Sequence, residues 1–77
     1  MSKPTRITNS IRTLRFARGE MTQAQLAEQI GVTRQTIIAI ERGRYSPSLE
    51  MAFQIARALR VPLDEVFQYP GAAAGPR

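Results

Sequence analysis

The residues from Arg34 to Glu41, RQTIIAIE, hold the side chains best suited to chemistry with a large partner. At about 100° per residue on a helix, Ile37, Ile40 and Glu41 fall on one side. Arg34, Gln35, Ile38 and Ala39 fall on the other, and Thr36 sits at the edge. A guanidinium at position 34 can pair with the O6/N7 edge of guanine, and an amide at position 35 with the N6/N7 edge of adenine. An isoleucine at position 38 suits the methyl group of thymine, and Ala39 lies beside it on the same base-facing side. Each has a plainer alternative. Arg34 can clamp a phosphate or simply sit in water, Gln35 can be a neutral exposed helix former, and Ile38 can be one of the scattered apolar residues that any surface carries. Thr36 fits a phosphate or a thymine methyl.

These side chains need a helix held away from the body of the domain, and the preceding residues supply one. Thr22 can cap a helix, with Gln25 placed to close a capping box. Leu26, Ala27 and Ile30 line one side of it, and Gly31 ends it where a left-handed residue is wanted. Thr33 caps the next helix. The small Ala27 allows a close crossing of the two axes, and Ile37 and Ile40 fill the angle between them. The segment 22–42 therefore reads as a helix-turn-helix whose second helix is shaped for a DNA major groove.

Charge and composition point the same way. The chain has 77 residues, one domain's worth, and a net charge of +5. Eight basic and three acidic residues lie up to Arg44, while the charges from Tyr45 onward cancel. A basic field over one half of a small domain attracts polyanions. There is no histidine and no cysteine. With no Gly-rich phosphate loop either, this leaves no inventory for an enzyme, a metal site or a disulfide framework. Neither a signal peptide nor a long apolar run is visible, so the expected location is the cytoplasm, with no membrane partner. No cofactor or small-molecule ligand is implied.

The order of elements is simple. Asn9 or Ser10 is placed to cap a first helix to about Arg18, with Ile7, Ile11 and Leu14 on one face. Gly19-Glu20-Met21 connects it to the helix-turn-helix. Gly43 ends the third helix, and a serine before Pro47 caps a fourth over about 49–59, with Leu49, Ala52, Phe53, Ala56 and Leu59 as its apolar face. Val61-Pro62 breaks that helix, and 63–67 forms a short fifth. Residues 1–6 read as a mobile arm and 70–77 as a disordered tail, leaving 7–69 as the folded domain.

The motif and its flanks resemble the Cro/repressor (XRE-type) helix-turn-helix family. Ala27, Gly31, Ile37 and Ile40 occupy its characteristic positions, between LRFARG on one side and ERGRYSPSLEMAFQIARALRVPLDEVFQY on the other. The similarity is greatest to short stand-alone repressors. It implies an all-α, five-helix DNA-binding domain that binds a palindromic operator on double-stranded DNA as a homodimer, most simply as a repressor. A second possibility within the family is an antitoxin that binds both a toxin protein and its own operator. The resemblance strengthens Gln35 as a base contact and implies that Gln23 holds a phosphate. Where related repressors often carry Asn, this chain has Ile38, which implies a different operator. Thr22, Arg42, Arg44 and Tyr45 flank the groove and are expected as phosphate clamps; the alternative for Arg42 and Arg44 is a charge simply solvated at the surface.

The resemblance also pairs Arg15 with Glu41 in a partly buried salt bridge. The spacing from Arg15 to Gln23 is one residue longer than usual. Arg15 keeps its role if the connector absorbs the extra residue; otherwise Arg12 or Arg18 takes it. The dimer surface is expected in VPLDEVFQY, through Val61, Leu63, Val66, Phe67 and Tyr69. The alternative is that Leu63 and Phe67 close the monomer's own core. Similar repressors pair this segment with their N-terminus in a small antiparallel ribbon, here with about Thr5 to Thr8.

Overall fold

A computed structural model describes residues 5–70. The mobile arm expected at 1–6 and the disordered tail expected at 70–77 fall outside it, except for Thr5, Arg6 and Pro70. Thr5 is hydrogen-bonded: its N–H donates to the Gly43 carbonyl (3.1 Å), and its hydroxyl accepts from Ile7 N–H (3.1 Å).

Five helices and a two-stranded ribbon follow in the order β1 (Thr8–Asn9), α1 (Ile11–Ala17), α2 (Gln23–Ile30), α3 (Arg34–Glu41), α4 (Leu49–Leu59), α5 (Leu63–Val66) and β2 (Phe67–Gln68). The strands pair antiparallel, Thr8 with Gln68 and Asn9 with Phe67. The N-terminal strand is thus later than the expected Thr5–Thr8, and Ile7 lies just before it. The reason is Asn9. Its Oδ1 accepts from Ile11 N–H (3.2 Å) at the start of α1, and Ser10 N–H donates to the Val66 carbonyl (2.8 Å). These bonds fix the register at the strand–helix junction. Ser10 occupies the cap position without a side-chain cap bond.

α2 begins with the full capping box: Thr22 Oγ1 accepts from Gln25 N–H and Gln25 Oε1 accepts from Thr22 N–H. It ends at Gly31, at φ 79°. Thr33 caps α3 by accepting from Thr36 N–H. Ser48, not Ser46, caps α4 by accepting from Met51 N–H, so Pro47 precedes the cap.

The core is Ile11, Met21, Leu26, Ala27, Ile37, Ile40, Ile55, Ala56, Leu59 and Val66. α4 departs from the expected face. Ala52, Ile55, Ala56 and Leu59 are buried, whereas Leu49 and Phe53 are 69% and 50% exposed. Ala52 and Leu59 centre the inward stripe with Ile55 and Ala56 at its edges, and Phe53 projects roughly a third of a turn away from that centre. Among the described residues no helix is long and apolar enough to cross a membrane.

Candidate nucleic-acid interface

The site is anchored from beneath by one buried charge network. Arg15 Nε donates to Glu41 Oε2 (2.7 Å) and its Nη2 to Oε1 (3.2 Å), a two-pronged pair joining α1 to the end of α3. Arg15 Nη1 donates to the Met21 carbonyl (2.8 Å), and Gln23 Nε2 donates to Glu41 Oε1 (3.1 Å). Both charged side chains are under 10% exposed. Burial of a charge is tolerated only with this degree of pairing.

The connector makes it possible. Gly19 and Glu20 both take left-handed conformations (φ 73° and 59°), and Met21 folds back so that its N–H donates to the Arg15 carbonyl (2.9 Å). The extra residue is absorbed there, and neither Arg12 nor Arg18 replaces Arg15.

α3 rests on this base with two different flanks. On one side, Arg34, Ile38 and Arg42 share a cleft of about 660 Å³ with Arg12 and Phe16 of α1 and with Thr22, Gln23 and Ala24 at the start of α2. On the other, Gln35, Thr36 and Ala39 share a shallow groove of about 290 Å³ with Arg44 and Tyr45. Arg34, Gln35, Arg42 and Arg44 are exposed. Ile38 and Ala39 are half-buried, so Ile38 forms part of a cleft wall and is not an isolated surface residue.

Three sequence-derived candidates have internal partners. The Gln23 amide is bonded to Glu41, leaving its second N–H and the open backbone N–H groups of the first turn of α2 for an anion. The Thr36 hydroxyl lies 3.1 Å from that of Thr33. Tyr45 packs partly against the core while lining the shallow groove.

The surface expected to pair two copies needs one correction. Val66 is fully buried in the monomer's own core, because α5 turns it under the ribbon. Val61, Leu63 and Phe67 are half-buried against the same core, and Tyr69 is exposed. Leu63 and Phe67 nevertheless line an apolar groove of about 290 Å³ with Ile7, Ser46, Pro47, Leu49 and Ala52.

Sequence reasoning gave Asn9 only a local capping role and passed over Phe16. Asn9 Nδ2 donates to the Ile40 carbonyl (2.9 Å), bonding β1 to the last turn of α3. An Asn before a helix signals only a local cap; its partner lies 31 residues away. Phe16 is half exposed beside the cleft.

The helix-turn-helix family model matches residues 11–66, from the start of α1 to the end of α5. The chain belongs to the Cro/repressor-type helix-turn-helix family. It is similar to an uncharacterized HTH-type transcriptional regulator of Methanothermobacter thermautotrophicus. The two are 62% identical over 48 residues, covering 61% of this chain and 70% of the relative. The cryptic phage CTXphi transcriptional repressor of Vibrio cholerae is 37% identical over 59 residues, 77% of this chain and 52% of that one. The structure resembles that of the restriction-modification controller protein of Aeromonas hydrophila, with a TM-score of 0.66 and 34% identity. That match covers 71% of this chain and 82% of the other.

Proposed function

We propose that this helix-turn-helix protein, a DNA-binding transcriptional regulator and not an enzyme, acts in the cytoplasm as a homodimeric repressor of a palindromic operator. The observation that carries the reading is α3. Arg34, Gln35, Ile38 and Ala39 form one face of a helix that stands between two open grooves, with arginines along both. Arg34 and Gln35 read base edges, and Ile38 and Ala39 meet thymine methyls. Thr22, Gln23, Thr36, Arg42, Arg44 and Tyr45 hold phosphates on either side.

A single short recognition helix reads too few base pairs for tight specific binding, so two copies act on half-sites one helical turn apart. The apolar groove of Leu63, Phe67 and Leu49, with Phe53 exposed near it on α4, supports pairing on the side away from α3. Val61 and Tyr69 lie on the same C-terminal segment as Leu63 and Phe67, and Val66 is buried in the core. Repression follows if the bound dimer obstructs transcription, and similarity to the Vibrio cholerae phage repressor supports that sign.

Selection of duplexes from a random pool tests the proposal. Enrichment of an inverted repeat with half-site centres about 10–10.5 base pairs apart, or a multiple of that spacing, is expected. Enrichment of single unrepeated sites would exclude the two-fold dimer, and no enrichment would exclude specific recognition.

A further inference from the structure

Phe16 carries a consequence beyond α3. Its ring is half exposed at the mouth of the larger cleft and is flanked by two guanidinium groups. Arg15 Cζ lies 5.5 Å and Arg12 Cζ 5.7 Å from the ring centroid. Arg12 and Phe16 are four residues apart on α1, hence stacked on one face of it. Arg15 is immobilised by Glu41, so it fixes the ring, and the ring restrains Arg12. A buried ion pair thus orients an exposed cation. Arg12 lines the cleft together with Arg34 and Arg42. Of the carboxylates there, Glu41 is already bonded by Arg15 and Gln23, and Glu20 stands on the connector. The cleft therefore holds an excess of planar cations, each suited to two-pronged bonding of a phosphate.

We propose that Arg12, held over the ring of Phe16, is a further binding residue for the DNA backbone, which carries the phosphate contacts of each half-site across onto α1. Phe16 is its positioning residue. This rests on the reading of α3 as the DNA-contacting helix, because the same cleft is bounded by Arg34 and Ile38.

The test is the salt dependence of binding to the selected operator and to random duplex, with the full-length chain. Arg12→Ala should lower affinity for both duplexes alike. It should also reduce the slope of log K against log salt by about 2, one phosphate per half-site in a dimer. Phe16→Leu keeps every charge and should weaken both by about 2–5-fold per half-site, the worth of an exposed cation–π contact. Arg57→Ala removes a charge of α4 that lines neither groove and should leave the slope unchanged. An Arg12→Ala slope equal to that of the parent, while the parent still binds, overturns the Arg12 site and spares the α3 reading. Equal loss of slope from Arg57→Ala overturns the site as well, since net charge would then explain it. A parent protein with no salt-dependent binding fails the α3 reading and the site with it. Arg12 is exposed, so unchanged circular dichroism is expected, and Arg12→Gln repeats the measurement in a second background.

Discussion

The side of the domain around α3 and the side around α4 and α5 solve opposite problems. The first presents cations and amides to water and is held up by a buried charge network of Arg15, Glu41, Gln23 and the Met21 carbonyl. The second has almost no polar surface in its groove and is held up by aliphatic packing, with Leu49 and Phe53 exposed above it. A polar reading surface needs side chains fixed in direction, which hydrogen-bonded charges provide. An apolar surface needs only shape and the exclusion of water, which make it suited to a second apolar surface. The two sides are joined by β1: Asn9 pairs with Phe67 in the ribbon and bonds the last turn of α3.

Breaking the charged anchor should have the largest effect. Glu41→Ala leaves the Arg15 guanidinium buried without its carboxylate and should destabilise the domain by about 3–5 kcal/mol, measured by urea or thermal unfolding. Replacing both, Arg15→Met with Glu41→Leu, should recover most of that loss while abolishing DNA binding. Stability that stays low in the double variant would mean that the bond to the Met21 carbonyl, not the ion pair, holds the connector.

The apolar side should break independently. Leu49→Glu alters an exposed residue, so monomer stability should shift by no more than about 0.5 kcal/mol. The dimer should weaken at least tenfold in sedimentation, since a charge buried at an apolar contact costs upward of about 1–3 kcal/mol. Salt-dependent binding to random duplex should survive. A variant that remains dimeric would move the pairing surface elsewhere.

Within the reading side, two substitutions sharpen the division between base and backbone. Gln35→Ala should cost about 1–3 kcal/mol on the selected site and relax preference at one base position. Arg42→Ala should weaken all sequences alike and lower the salt slope. Uniform weakening by Gln35→Ala in competition binding would reassign that residue to the backbone.

The smallest expected effect lies at the end of α4. Arg60 ends α4 with φ 62°, a left-handed conformation that favours glycine. Arg60→Gly should stabilise the domain by about 1 kcal/mol, visible as a raised melting temperature with dimerisation and DNA affinity unchanged.

The local sequence by itself determined the helix-turn-helix. The Thr22–Gln25 box, Gly31 and the Thr33 cap are each decided within four residues, and the stripe of Leu26, Ala27, Ile37 and Ile40 repeats at helical spacing. The same locality made the outward face of α3 legible, because a helix fixes the direction of every side chain once its inner face is known. Only the tertiary structure decided the rest. Whether Glu41 binds Arg15 depended on how the Gly19-Glu20 turn absorbs one residue. That Leu49 and Phe53 face water while Ile55 is fully buried depended on the rotation of α4 against α2 and α5, which its own apolar residues left open over more than half a turn. Val66 went inward because α5 is a single turn whose direction is imposed by the ribbon. Asn9 meets Ile40, and Phe16 holds Arg12 through an Arg15 fixed from α3, through contacts whose partners lie on other elements. Periodicity and caps act over one or two turns of chain; the choice among equally apolar or equally charged faces is made by what packs against them.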